Sequence, residues 1–212
     1  MVKAPRFARS SSRMAVLGLL LLAAGCKSTE PVTVFPSFTT APAMAIHKPA
    51  EIAVLPVEDG SPGGAAGRHL VFLRQEVMRQ LVDRLYTPLA ASVVDATLKG
   101  NADAVAAREA KTSMLEPAFL KKIAGTSSED GVFALRVDTW DEGHLLTDRT
   151  ITFQFQAALV GNDGQQLWYG TIHGTVKAGG AGAAPRDRDY MARSCGELAV
   201  SELMLRLPAR LP

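Results

Sequence analysis

The sequence predicts an α/β sandwich of the α+β type: one mixed β-sheet that ends in a C-terminal antiparallel meander, with helices packed on it. Three segments between residues 132 and 176 alternate apolar and polar side chains, as strands with one buried face do. An earlier segment, residues 68–86, repeats apolar residues every three or four positions, which indicates an amphipathic helix. The chain has 212 residues, of which 47% are hydrophobic and 21% charged, a composition typical of a globular protein.

Residues 1–25 have the features of a signal peptide. Residues 1–13 are basic, and residues 14–25 form an apolar run that is too short to span a membrane. The run ends in Leu22-Ala-Ala-Gly-Cys26, which resembles the lipobox of bacterial lipoproteins. The resemblance implies cleavage between Gly25 and Cys26 and attachment of a diacylglyceryl group and further acyl chains, such as palmitate, to Cys26. The alternative is an ordinary signal peptide followed by an unmodified cysteine.

A lipidated Cys26 implies an address in the cell envelope. By resemblance to enterobacterial lipoproteins, Lys27 rather than Asp after the cysteine implies the outer membrane, with the protein facing the periplasm. Residues 26–50 contain four prolines and show no sustained periodicity, which predicts a tether that could extend roughly 70 Å. The alternative is that Phe35 and Phe38 dock on the domain and order part of this tether. The basic residues of the leader account for the net charge of +2, so the sequence gives no indication of nucleic-acid binding.

Residues 51–212 are expected to form a single domain. Residues 51–59 predict a buried strand, residues 60–67 a flexible glycine-rich loop, and residues 68–86 a helix that Pro88 ends. The polar side of that helix, including Arg74, is expected to be solvated. A second short strand is predicted at residues 90–94, followed by a helix capped by Asp95 and another helix over residues 116–124.

The meander strands are predicted at residues 132–140, 150–160 and 166–176, with a hairpin turn at residues 161–164. The final helix lies within residues 189–207 and places Ala192, Cys195, Ala199 and Leu203 on one apolar face. Cys195 is therefore expected to be a small core residue, and a reactive thiol is the alternative.

Three stretches resemble CsgG-like and TolB amino-terminal-like periplasmic domains: EIAVLPVED, LKKIAGTSSEDGVFALRVDTW and TFQFQAALVGNDGQQLWYGTIHG. The resemblance covers roughly residues 51–177. It implies a lipoprotein that acts through protein contacts in envelope assembly, secretion or transport. It does not imply a pore, since no spare segment has the alternating pattern of a barrel hairpin.

No motif indicates catalysis or a cofactor. Gly63 and Gly67 do not fit the spacing of a phosphate-binding loop, and the four histidines lack H-x-x-x-H spacing. His144 lies among Asp138, Asp141, Glu142 and Asp148, which indicates either a weak cation site or, more simply, a polar hairpin. We therefore expect no catalytic residue, no metal and no cofactor.

Three functional hypotheses remain at this stage. The first is a non-enzymatic envelope protein that binds a partner protein, or copies of itself, through a sheet edge or the polar sheet face. Trp140, beside acidic residues at a strand end, is a candidate exposed contact, with core packing as the alternative, whereas Trp168 is expected in the core. The second is a carrier that binds a small ligand or lipid between sheet and helices. The third is an envelope hydrolase that uses Cys195 or a serine.

Overall fold

The structure is a computed structural model, and it describes residues 32–46, 49–179 and 187–210. The strands of these residues are β1 (Val32–Thr40), β2 (Glu51–Val54), β3 (Glu58–Asp59), β4 (Thr87–Pro88), β5 (Gly131–Asp141), β6 (Thr150–Gly161) and β7 (Gln166–Lys177). The α-helices are α1 (Ala43–Ile46), α2 (Leu70–Asp83), α3 (Ala91–Gly100), α4 (Ala102–Glu109), α5 (Pro117–Ile123) and α6 (Arg188–Met204).

All of these strands belong to one mixed sheet. Six of them follow the order β1–β7–β6–β5–β2–β4, and β3 also pairs with β5. The pairs β1–β7, β7–β6 and β6–β5 are antiparallel, whereas β2 lies parallel to both β4 and β5. The predicted fold class, a mixed sheet with a C-terminal antiparallel meander and helices packed on it, is confirmed.

The alternation that predicted the meander corresponds to its buried face. Ile151, Phe153 and Phe155 of β6 are at most 1% exposed. The same side of the sheet carries Trp168 and Ile172 of β7, and both are equally buried. The polar residues between them lie on the opposite face, because successive side chains of a strand point to opposite sides.

Two helical layers of different extent cover the sheet. On one face, α2 and α6 pack against the apolar side of the meander, and the predicted apolar face of α6 is buried there. On the other face, α3 and α5 pack over β2, β5 and the end of β6. Further along this second face, Thr152 of β6 and His173 of β7 are exposed, so the second layer ends before it reaches β1. Among the described residues, no helix combines the length and the apolar composition needed to cross a membrane.

The tether predicted for residues 26–50 is wrong over residues 32–40, where the alternative of an ordered segment holds. Strand β1 pairs antiparallel with β7, from Val32 opposite Val176 to Thr40 opposite Trp168. Val32 and Val34 pack against the core, so alternation is present over a few residues although the prolines obscure it. Pro36 is compatible with this strand because an edge strand needs backbone N–H donors on one side only.

The short strand predicted at residues 90–94 is also wrong. Helix α3 begins at Ala91, and Asp95, predicted to cap a helix, lies inside this one. The sheet is instead extended by the two residues of β4, which pair with Glu51 and Ile52 of β2. An apolar run of this length does not distinguish a strand from one turn of a buried helix.

Helix α2 ends earlier than the position of Pro88 predicted. The backbone N–H of Tyr86 donates to the Leu81 carbonyl at 3.0 Å, and that of Leu85 donates to the Val82 carbonyl at 2.9 Å. These two bonds form a Schellman motif, in which Leu85 takes the left-handed conformation usually held by glycine, with φ of 66°. The helix is therefore closed by its own backbone before the proline is reached.

Gly174 of β7 controls how closely β1 can approach. A Cβ atom at this position would lie 2.1 Å from the Thr33 carbonyl oxygen and 2.8 Å from the Val34 Cα. We expect Gly174→Ala to displace β1 and to lower the free energy of unfolding by about 1–3 kcal/mol, the usual cost of overpacking. Urea unfolding measures the loss, and hydrogen exchange of the β1 amides locates it.

Gly179→Ala is the matched control for this prediction, because a Cβ atom there has nothing within 4 Å among the described residues. Equal stability and equal exchange of β1 in the two alanine variants would contradict the close approach of β1 to β7.

Candidate functional site

The predicted site residues lie in two different situations. Gly25 and Cys26 lie outside the described residues, so their predicted roles stay predictions. Trp140 is only 3% exposed, so its role as an exposed contact is wrong and the alternative of core packing holds. Its indole ring is parallel to the ring of Phe155, with 6.3 Å between the ring centroids, which explains why a strand-end tryptophan is buried.

Trp140 is one of four side chains that surround the carboxylate of Glu142 in a polar cluster. Trp140 donates from Nε1 to Glu142 Oε1 at 2.9 Å, and Arg188 donates from Nε to Oε2 at 2.8 Å. His69 Nε2 lies 2.7 Å from Oε1, and the guanidinium of Arg68 also pairs with Oε2. The cluster joins the start of α2, the loop after β5 and the start of α6.

The electrostatics of the cluster keep Glu142 ionised. Burial by itself would raise the pKa of this carboxyl, but the hydrogen bonds from Trp140, Arg188 and His69 and the charge of Arg68 outweigh it and hold the pKa at about 2. A carboxylate with this pKa is a poor general acid or base near neutral pH. The side chains of His69 and Glu142 are 5% and 7% exposed, so the cluster is a structural one, and we call it the Glu142 clamp.

Cys195 lies in the core, as the apolar face of its helix predicted. It is 0% exposed, and its thiol lies 3.6 Å from the Val176 carbonyl oxygen. Burial raises the pKa of the Cys195 thiol to about 12. Because the thiolate is the nucleophilic form, a buried thiol with this pKa is a poor nucleophile near neutral pH.

The residues considered for metal and phosphate binding are occupied by local contacts. His144 Nδ1 pairs with Asp148 at 3.3 Å, and the described residues contain no group of three or more His, Cys, Asp or Glu side chains that could hold a metal ion. The loop predicted as a flexible connector forms two 3-10 turns, in which Ser61 Oγ accepts from the Ala66 N–H at 3.1 Å. That N–H therefore points at the loop's own side chain.

Two accessible surfaces of the described residues are candidates for binding. The first, which we call the open sheet side, consists of β1 and the polar face of β7 and β6. Phe35 and Phe38 of β1 are 60% and 49% exposed, and the Phe35 ring stacks on His173 at 5.3 Å between centroids. The outer edge of β1 pairs with no strand among the described residues.

The second surface is a groove of about 960 Å³, which we call the α2–α4 groove. It lies between α2 on one side and α3 and α4 on the other, with residues 56–59 beside them. Sequence reasoning missed its central polar residue, Arg74, which is 8% exposed although it was expected to be solvated. A signal was present, because Leu70, Arg74 and Met78 are spaced four apart and therefore share one stripe of α2 with apolar neighbours.

The comparisons with known proteins assign no family. No protein-family model and no curated protein matches the chain. Similar solved structures include the PelC dodecamer from Paraburkholderia phytofirmans, with 13% identity and a TM-score of 0.48 over 84% of this chain and 100% of that one. Lipoprotein GNA1162 from Neisseria meningitidis has 25% identity and a TM-score of 0.41 over 59% of this chain and 84% of that one. The hypothetical protein CT253 from Chlamydia trachomatis has 11% identity and a TM-score of 0.41 over 74% and 92%. The resemblance to CsgG-like and TolB amino-terminal-like domains stays a prediction.

The Glu142 clamp predicts a pH-dependent contribution to stability. The folded pKa of about 2 lies below the ordinary value of 4.5, so the contribution is complete above about pH 4.5 and is lost as the pH falls toward 2. We expect Glu142→Gln to lower the free energy of unfolding by about 1–3 kcal/mol at pH 7, with a smaller difference from the wild type near pH 2.5. Urea titrations at both pH values measure this.

Glu197→Gln, at an exposed position of α6, is the control and should leave the pH dependence unchanged. A Glu142→Gln penalty of the same size at both pH values would show that the ionised carboxylate contributes nothing beyond its shape.

Cys195 gives a prediction about chemical reactivity. In the folded chain carrying Cys26→Ser, which leaves a single thiol, we expect a disulfide reagent to label Cys195 at least a hundredfold more slowly than in denaturant, because the thiolate is scarce and shielded. Absorbance of the released thiol measures the two rates. Similar rates would restore the hypothesis of a cysteine-dependent hydrolase.

Proposed function

We propose that this chain is a non-enzymatic lipoprotein of the cell envelope, which binds a partner protein or a second copy of itself through the open sheet side. The proposed address is the periplasmic face of the outer membrane, with the anchor on Cys26. The observation that carries the proposal is the edge strand β1, which no other described strand covers, with Phe35 60% exposed on the polar face and Phe38 49% exposed on the opposite face.

The backbone of β1 supports binding by strand addition. An edge strand offers unpaired N–H and C=O groups that a partner strand can complete, and alternate side chains supply specificity. Pro36 lies at the middle of β1 and lacks an N–H donor. A partner strand is therefore expected to pair with one half of β1, on one side of the proline, rather than with its whole length.

The side chains of this surface support a protein partner. Thr33, Ser37 and Thr39 of β1 are exposed polar residues that carry no charge. Phe35, stacked on His173, provides an aromatic contact among them, and aromatic residues in a polar surround are enriched at binding interfaces. Two groups resemble catalytic residues, the Glu142 carboxylate and the Cys195 thiol. Their surroundings support a non-enzymatic protein, because the Glu142 clamp is closed and the Cys195 thiol is buried.

Site-specific crosslinking in intact cells tests the proposed surface. A photoreactive residue replaces Ser37, at the exposed centre of β1, and in a separate strain replaces Glu197 on the opposite helical layer. We expect a discrete crosslinked product from position 37, identified by mass spectrometry as an envelope protein or a second copy, and no such product from position 197. Equal products at both positions, or none at position 37, would contradict the proposal.

The Cys26→Ser variant, fractionated in the same experiment, tests the anchor separately. Loss of the acyl chains should move the protein from the outer-membrane fraction to the soluble periplasmic fraction, because each buried CH₂ contributes about 0.8 kcal/mol to membrane binding. A serine variant that stays with the membrane shows that the anchor is wrong, whatever the crosslinking at position 37 gives.

A further inference from the structure

The α2–α4 groove is open to solvent, yet many of the side chains that line it are apolar. Val71 of α2 and Val105 of α4 are 72% and 41% exposed, and both line it. Helix α4 contributes no buried residue to the core, although it carries apolar side chains on its groove side. Apolar residues that line the groove more deeply are Leu70, Met78, Leu98, Met114 and Phe119. The apolar surface continues from the floor to both rims.

Two acidic residues of the groove, Glu58 and Asp59, are held by internal hydrogen bonds. Glu58 accepts from Ser113 Oγ at 2.8 Å and from the Met114 N–H at 2.7 Å, and it pairs with Arg136 at 3.2 Å. Asp59 accepts hydrogen bonds from the backbone N–H and the hydroxyl of Ser61. Arg136 therefore offsets the charge of Glu58, whereas Asp59 has no cation partner among the described residues and keeps its charge.

The buried cation at the floor is also held by the protein, and a carboxylate offsets part of its charge. Arg74 donates from Nε and from its terminal nitrogen to the Val54 carbonyl at 3.0 and 2.6 Å, and it pairs with Asp95 at 2.8 Å. The Asp95 side chain is 41% exposed, so solvent weakens its neutralising effect. A guanidinium has five N–H donors, and these bonds use three of them.

The remaining cations of the groove have no carboxylate partner. Lys99, Arg108 and Lys111 line the groove, and none of them lies within 4 Å of a carboxylate among the described residues. Against them stand two lining carboxylates without a cation partner among the described residues, those of Asp59 and Glu109. With Glu58 paired with Arg136 and Asp95 paired with Arg74, the unpaired charge of the lining is positive.

From the apolar lining and this charge we infer that the α2–α4 groove binds a single-chain anionic amphiphile of the long-chain fatty acid class. The acyl chain would lie along the apolar residues between α2 and α4, and the carboxylate would pair with Arg108 and Lys111 at the end of α4. The volume of about 960 Å³ lies within the range of about 300–1,000 Å³ that is typical of small-ligand sites.

Photolabelling with a fatty acid tests the inference on the full chain. The chain is held in nanodiscs of saturated phosphatidylcholine and irradiated with a diazirine derivative of palmitate, and the labelled peptides are identified by mass spectrometry. We expect labelling to concentrate in peptides from α2 and α4, and unlabelled palmitate to compete for it. Hexadecanol, which has the same chain without the charge, should compete about tenfold less well, the effect of about 1.4 kcal/mol.

Two variants separate binding from adventitious contact with the nanodisc. Arg108→Glu with Lys111→Glu should reduce groove labelling about tenfold, whereas the matched double variant Lys121→Glu with Lys177→Glu, at exposed positions outside the groove, should leave it unchanged. Val71→Glu should also reduce it by obstructing the acyl chain, and because Val71 is exposed this change does not compromise the core.

Three outcomes would overturn the inference. Labelling spread evenly over the chain would show contact with the bilayer only. Competition by hexadecanol equal to that by palmitate would remove the role of the cations. Competition by an acidic amphipathic peptide that exceeds competition by palmitate would assign the groove to a protein segment. None of these outcomes bears on crosslinking at Ser37, which tests a different surface.

Discussion

Burial of one face of the meander against α2 and α6 is the interaction on which the rest of the structure depends. Aromatic and branched side chains of β5, β6 and β7 fill this face, and they determine the register because a shift of one residue would turn them all to the opposite side. Every other element takes its position from this layer. Helix α6 closes it, β2 extends it in parallel, and β1 adds to its far edge.

The same constraint explains which features were predictable from the sequence. Strands β5 to β7 and helix α6 show their periodicity over many residues, because each has one face in the large core. Strand β1 is half covered at one end and exposed beyond it, so its alternation is short, and Pro36 with the flanking prolines dominates the pattern. The run at residues 90–94 failed for a related reason: five apolar or small residues fit a strand or a helical turn equally well.

The polar clusters show why functional residues were harder to predict. Glu142 was counted among the acids of a surface hairpin, and only the packing of three distant segments reveals that Arg68, His69 and Arg188 enclose it. Arg74 was expected on a solvated helix face, yet it pairs with Asp95 of α3, and the sequence does not show that these two helices meet. Both residues contact partners that are distant in the sequence, and this separation, rather than residue type, limited both predictions. The two surfaces proposed for binding differ from the Glu142 clamp in one respect. Some of their hydrogen-bonding groups or charges have no internal partner, whereas those of the clamp are all satisfied internally.

The incorporation of β1 into the sheet also shortens the segment of sequence between the fold and the proposed anchor on Cys26. The predicted tether would have allowed the domain to move roughly 70 Å from the bilayer. With β1 beginning at Val32, only residues 27–31 separate it from Cys26, and an extended chain of that length spans about 20 Å. If Cys26 is acylated as proposed, the first residue of the edge strand is confined to a thin layer next to the lipid headgroups. Any strand that pairs with this end of β1 must then come from a molecule that itself reaches the membrane surface, so membrane proximity becomes part of the specificity of the contact.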